Sequence, residues 1–206
     1  MRTEEIKIYK FSELSEEAQR KALDNFEPFI DFMFQEAFET FKKFSDVFDI
    51  YYRNIDFLEK HRSTYDVSAN IDDDVLSLRG WRLATYIWNN YRTQLFSGKY
   101  YGKLVYDVPV SKEHPIGARH VKRYSNIFLS SDCVLTGVCY DYMLTPIYDF
   151  LNNPNDTDDL GDLLESCIDL LCSDVSSEYD ARLSDECKTE DIEANEYEFY
   201  SNGEQY

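Results

Sequence analysis

Apolar residues recur along this chain with two different periods. From Phe26 to Phe48 they fall at steps of three and four: Phe26, Ile30, Met33, Phe34, Ala37, Phe38, Phe41, Phe44 and Phe48. That is the repeat of one helix face, so the spacing predicts an amphipathic helix with an aromatic stripe. The stripe reads as core rather than as a ligand box, because burying each Phe contributes on the order of 2 kcal/mol. Pro28 lacks an amide proton and clashes in a helix interior, so a break is expected there. Before it, Ser15 stands as an N-cap ahead of Glu16 and Glu17, with Ala18, Ala22 and Phe26 continuing a first helix.

The other period is two. Glu5 to Phe11 alternates, and Ile50 to Leu58 is aromatic and β-branched, with Thr64 to Ile71 a weaker partner; all three read as strands. Trp81, Ala84, Ile87, Trp88, Tyr91 and Leu95 return to helical spacing, with Gly98 as a stop. Leu104, Tyr106 and Val108 alternate before Pro109, and His114-Pro115-Ile116-Gly117 is turn chemistry. Val121–Leu129 and Cys133–Tyr140 flank Ser130-Ser131-Asp132 as a hairpin, although the second arm equally suits the start of a helix. Residues 144–152 read as helix up to Pro154. Leu160, Leu163, Leu164, Cys167, Ile168, Leu171 and Val175 mark another, Ser184 caps a short helix over 185–193, and Tyr197-Glu198-Phe199 reads as a last strand before a fraying Ser201-Asn202-Gly203 end. The reading is one compact α+β domain over 1–206: an antiparallel sheet packed by aromatic-rich helices, with an acidic helical subregion at about 155–206.

Charge sharpens this picture. The 206 residues carry 40 acidic and 21 basic side chains, a net of −19. Residues 151–206 hold 17 acids and 2 bases, whereas residues 92–124 carry a net of +5. The acidic quarter either packs over the basic middle or presents a face that attracts basic partners. Direct nucleic-acid binding is not expected, since phosphate requires cationic contacts. No run of about 18 apolar residues predicts a membrane span. The Met1-Arg2-Thr3-Glu4-Glu5 start carries acid where a signal peptide needs base, and the five cysteines are odd in number and loosely spaced. Both point to a cytoplasmic protein with reduced thiols, which makes the Asn155-Asp156-Thr157 sequon a chance match.

The chemistry of catalysis is sparse. There is no Gly-rich phosphate loop, no H-E-x-x-H, no G-x-S-x-G and no C-x-x-C. Asp72-Asp73-Asp74 lacks the spacing of a calcium loop and reads as a turn feeding a helix. No metal or cofactor is expected. Cys133 or Cys139 beside His114 or His120 is the one conceivable nucleophile and base. Arg119, His120, Lys122, Arg123 and Tyr124 form a basic cluster that suits a phosphate grip or, more simply, a charged strand edge.

The unusual feature is a row of carboxylates: Asp158, Asp159, Asp162, Glu165, Asp169, Asp174, Glu178 and Asp180, followed by Asp185 and Glu186. The first eight extend along about 33 Å of helix at 1.5 Å per residue. A rigid acidic line imitates a phosphate backbone and could enter another protein's cationic nucleic-acid channel. The same charge could instead only solubilise a helix whose other face packs.

Two passages carry a resemblance. Phe11-Ser12-Glu13-Leu14-Ser15-Glu16-Glu17-Ala18-Gln19-Arg20-Lys21-Ala22 after a short strand, and Ile192-Glu193-Ala194-Asn195-Glu196-Tyr197-Glu198-Phe199 near the end, resemble the two ends of a family of small bacteriophage, prophage and plasmid proteins. Some of its members are labelled antitoxins. The resemblance implies a mobile-element accessory protein in a bacterial host cytoplasm, and it carries no catalytic residues with it. Charge and setting together suggest, by analogy, a non-enzymatic inhibitor of the anti-CRISPR kind, a nucleic-acid mimic bound to a host protein with a basic nucleic-acid-binding surface. The alternatives are an antitoxin neutralising a basic toxin, an enzyme using the Cys/His region, and an accessory protein without mimicry.

Overall fold

A computed structural model describes residues 7–57, 65–95, 101–108, 118–125, 134–136 and 139–206, with the backbone alone at 65–67, 101–108, 118–125 and 139. In chain order the strands are β1 (Tyr9–Lys10), β2 (Ile50–Ile55), β3 (Tyr65–Ala69), β4 (Tyr101–Val108), β5 (Ala118–Ser125) and β6 (Glu198–Phe199). The α-helices are α1 (Glu16–Asn25), α2 (Asp31–Phe48), α3 (Asp73–Leu76), α4 (Gly80–Leu95), α5 (Thr145–Asn152), α6 (Leu160–Arg182) and α7 (Asp185–Ala194). The class is α+β. The described strands make three separate antiparallel pairs, β1–β6, β2–β3 and β4–β5, instead of the single sheet expected.

The chain forms two compact units. The first joins Met1–Gln35 to Asp174–Tyr206, and the second is Glu36–Ser173. By their residue ranges, α2 and α6 contribute to both.

In the first unit, Ser15 caps α1 as expected, its hydroxyl accepting from the Ala18 amide at 3.3 Å. The chain leaves α1 at Phe26, and α2 begins three residues after Pro28. Phe11, Leu14, Ala18, Ala22, Ile192 and Phe199 form the core, with Phe11 edge-on to Phe199 at 6.1 Å. Pairing of Tyr9 with Phe199 and of Lys10 with Glu198 brings the two ends of the chain together. The first strand is thus shorter than expected: Phe11 already opens a 3₁₀ turn, and residues 1–6 lie outside the described residues.

The expectation of a fraying C-terminus is corrected. Gly203 is buried at φ +81°, and a Cβ there would stand 2.2 Å from the Ala18 carbonyl oxygen. The Gly203 and Tyr200 amides donate to Tyr200 and Glu204 carbonyls, and Glu204 pairs with Lys21 at 3.0 Å. The terminal turn therefore closes on α1, and only glycine permits so close an approach of the two backbones.

In the second unit the aromatic stripe of α2 is core, with Ala37, Phe41 and Phe44 fully buried and Phe48 nearly so. Phe41 meets Tyr52 edge-on at 4.9 Å, and Phe48 meets Tyr91 at 4.7 Å. Phe38 is the exception, over one third exposed beside Tyr52. Leu83, Ile87 and Leu95 bury one face of α4, but Trp81, expected among them, is 72% exposed at its first turn. Asp72 precedes α3, in keeping with a turn that feeds a helix.

Strand β4 pairs in unbroken register with β5, Tyr101 opposite Ser125 through Val108 opposite Ala118. The second arm expected after Ser130-Ser131-Asp132, left open between strand and helix, leads into a 3₁₀ helix at residues 139–144, while 126–133 and 137–138 lie outside the described residues. The reason is local. Asp141 is buried and accepts from the Leu135 and Thr136 amides at 2.6 and 3.3 Å, so it folds the chain back on itself. Thr136 in turn shares a 2.9 Å hydroxyl contact with Thr40 of α2.

Candidate functional site

The expected row of carboxylates is divided between the two units. Asp158, Asp159, Asp162, Glu165 and Asp169 belong to the second, and Asp174, Glu178, Asp180, Asp185 and Glu186 to the first.

In the second unit, the start of α6 is built by its own acids. The Asp159 amide donates to Asp162 Oδ2 at 3.0 Å, and the Asp162 amide donates to Asp159 Oδ1 at 2.9 Å. This reciprocal cap satisfies amides that a helix start leaves unpaired. The other oxygen of Asp159 accepts from Arg79 Nη2 at 2.9 Å. Asp158 accepts from Asn155 Nδ2 at 2.8 Å and from the Thr157 hydroxyl at 2.7 Å, and these hydrogen bonds hold its carboxyl below the usual range. Asp158 and Asp159 are therefore bound up in the local fold.

Asp162, Glu165 and Asp169 are exposed. At 3.6 residues per turn they fall within an arc of about 60°, rising roughly 4.5 and 6 Å from one to the next. The Glu165 carboxylate makes no hydrogen bond or ion pair among the described residues. Asp162 and Glu165, though not Asp169, line a cavity of about 390 Å³ together with Asp159 and the apolar Ile50, Leu164 and Ile168. A lining part acidic and part apolar suits a lysine or arginine, whose methylenes pack while its charged head pairs.

In the first unit the acids serve different ends. Asp174 and Glu178 fall on the same side of α6 as Leu163, Cys167 and Leu171, and both are half-buried. Burial pushes the Asp174 carboxyl up, while Glu178 binds Arg182 one turn on at 3.2 Å. Asp180, Asp185 and Glu186 are exposed, the last two in the first turn of α7 where the helix dipole favours anions. Asp162, Glu165 and Asp169 thus form one outward face of the second unit, with Asp159 bonded to Asp162 where the helix starts.

Periodicity also passed over a pair of aromatics. Phe29 lies just before α2 and Phe32 in its first turn, both between the expected stripe positions, so no helical face claimed them. Phe29 is 71% exposed and stacks on Phe32 at 6.1 Å, and the Arg182 guanidinium sits 5.2 Å from the Phe32 ring centre. An aromatic out of register with the buried stripe was the available signal.

The catalytic alternative lies largely outside the described residues: His114 and Cys133 are not described, and His120 and Cys139 only by their backbone. The same holds for the basic cluster on β5, and for the side chains on which packing of the acidic quarter over residues 92–124 depends. Among the described residues, no group of His, Cys, Asp and Glu could hold a metal ion, and no helix is long and apolar enough to cross a membrane. Cys167, Cys172 and Cys187 form no disulfide, the first two are buried, and burial drives the Cys167 thiol far above its ordinary value. No family model matches the chain, and no curated protein or solved structure matches it either.

Proposed function

We propose that the protein is a non-enzymatic inhibitor that binds a host defence protein through acidic mimicry of nucleic acid. Its partner is a nuclease, such as a CRISPR effector, with a cationic nucleic-acid channel. The observation that carries this reading is the exposed Asp162–Glu165–Asp169 face, whose first two carboxylates line a cavity with Ile50, Leu164 and Ile168. The spacing of about 5 Å per charge is sparser than the ~3.4 Å per phosphate along one DNA strand, but of the same order. Lysines and arginines that grip a phosphate backbone could therefore meet a carboxylate at each step. The overall charge of −19 steers such a partner in and repels nucleic acid itself.

The test is affinity capture from bacterial lysate at low salt with a salt-gradient elution, wild type beside Asp162→Asn/Glu165→Gln/Asp169→Asn. The expected result is a nucleic-acid-binding protein that salt releases, duplex DNA displaces and the triple variant fails to hold. A partner retained equally by the variant, or indifferent to salt and DNA, would sink the reading.

A further inference from the structure

The first unit carries an apolar feature that its own fold does not use. Phe29 lies in the non-helical link between α1 and α2, 71% exposed, and its ring stacks at 21° on Phe32, itself 37% exposed. The guanidinium of Arg182 covers Phe32 at 5.2 Å and is held from behind by Glu178 at 3.2 Å. Two phenylalanines and an arginine at one surface are side chains of the kind that anchor protein interfaces, and solvent exposure of both rings brings the free molecule no benefit.

Charge decides which occupant fits. Residues Met1–Gln35 and Asp174–Tyr206 contain 19 acidic and 7 basic side chains, a net of −12. Glu27 and Asp31 flank Phe29 along the chain, and both are exposed. A second copy would set −12 against −12 at this contact, and an anionic membrane or nucleic acid would be repelled as well. We infer that the Phe29–Phe32–Arg182 patch is a docking anchor for an amphipathic, basic protein segment, whose apolar face covers the rings while its lysines or arginines meet the surrounding carboxylates. The inference rests on the reading that the partner is basic, and adds that the partner is also held by an apolar contact that salt does not weaken.

The probes are two synthetic peptides of equal length and equal lysine count. One sets leucines at helical spacing, and the other replaces every leucine with glycine. Binding to the full chain is followed by fluorescence anisotropy at low and high salt, for wild type, Phe29→Ser and Phe29→Ser/Phe32→Ser. The expected result is about tenfold or greater preference of wild type for the leucine peptide, surviving high salt. Phe29→Ser alone should shrink that preference and the double variant erase it, with the glycine peptide unaffected. Phe29 is mostly in solvent, so the single variant should melt with wild type and keep the comparison interpretable.

Equal binding of the two peptides, or a preference that survives both substitutions, overturns the docking anchor and leaves the basic partner standing. Failure of both peptides to bind at low salt removes the basic partner itself. A wild-type dimer in sedimentation velocity that the double variant dissolves overturns the choice of occupant in favour of a second copy.

Discussion

Gly203 and Gly80 show how one residue type carries different weight in two places. Both have positive φ, +81° and +55°, and a Cβ at either would meet an atom at 2.2 Å. At Gly203 that atom is the Ala18 carbonyl oxygen, part of a helix backbone. At Gly80 it is the carboxylate end of Asp156, which can swing aside. Gly203→Ala should therefore cost about 2 kcal/mol, the middle of the range for a strained backbone, and Gly80→Ala clearly less. Urea unfolding of the two variants checks the order. Asp174 makes a second residue-scale prediction. Its carboxyl is raised in the folded state, so the native protein holds that proton more tightly than the unfolded chain. The associated stability is present below the unfolded carboxyl range and is lost as pH rises through the folded value. Asp174→Asn should then melt higher than wild type at neutral pH and converge with it in acid. A variant that melts lower at neutral pH would show the ionised carboxylate to be favourable where it stands. Neither effect could be read from the sequence, because a glycine's neighbour and a carboxylate's burial are properties of what packs beside them.

At the scale of elements, local chemistry set the boundaries well where a cap was at hand. Ser15 opens α1 and Ser184 opens α7, each hydroxyl accepting from the amide three residues on at 3.3 Å. Ser15→Ala and Ser184→Ala should each lower stability by about 1 kcal/mol, measured as a shift in the denaturation midpoint at constant slope. Pro28 ended one helix and preceded the next for the same kind of reason, a missing donor and a ring that clashes. The aromatic stripe of α2 was legible because burial selects a period, yet Phe38 on that stripe stays part-exposed. Periodicity names a face, while the width of the burying surface decides how much of the face is covered. Residues 139–144 were ambiguous for a different reason. Their helical turn depends on Asp141 gathering the Leu135 and Thr136 amides, a side-chain contact that no alternation pattern records.

For the whole molecule the governing quantity is charge. Forty acids against 21 bases repel one another in the compact state, and added salt screens that repulsion. The melting temperature should rise as sodium chloride is added from low ionic strength, whereas binding of a basic partner to the Asp162–Glu165–Asp169 face should weaken over the same range. Opposite salt responses of folding and binding would be the signature of an acidic surface that is costly to the free protein and useful in a complex. A melting temperature that falls with salt would mean that favourable ion pairs, not repulsion, dominate the folded state.

By itself the sequence determined the α+β class, most helix positions and their caps, and the concentration of acid in the last quarter. These follow from neighbours within a few residues along the chain, where hydrogen bonding, backbone freedom and side-chain period act directly. Only the tertiary structure decided that the ends of the chain pair as β1 and β6, that Gly203 closes on Ala18, and that of ten candidate carboxylates three share one exposed face while Asp159 and Glu178 are tied into ion pairs. Those outcomes depend on contacts between residues as far apart as Tyr9 and Phe199, and only folding brings such residues within reach of one another.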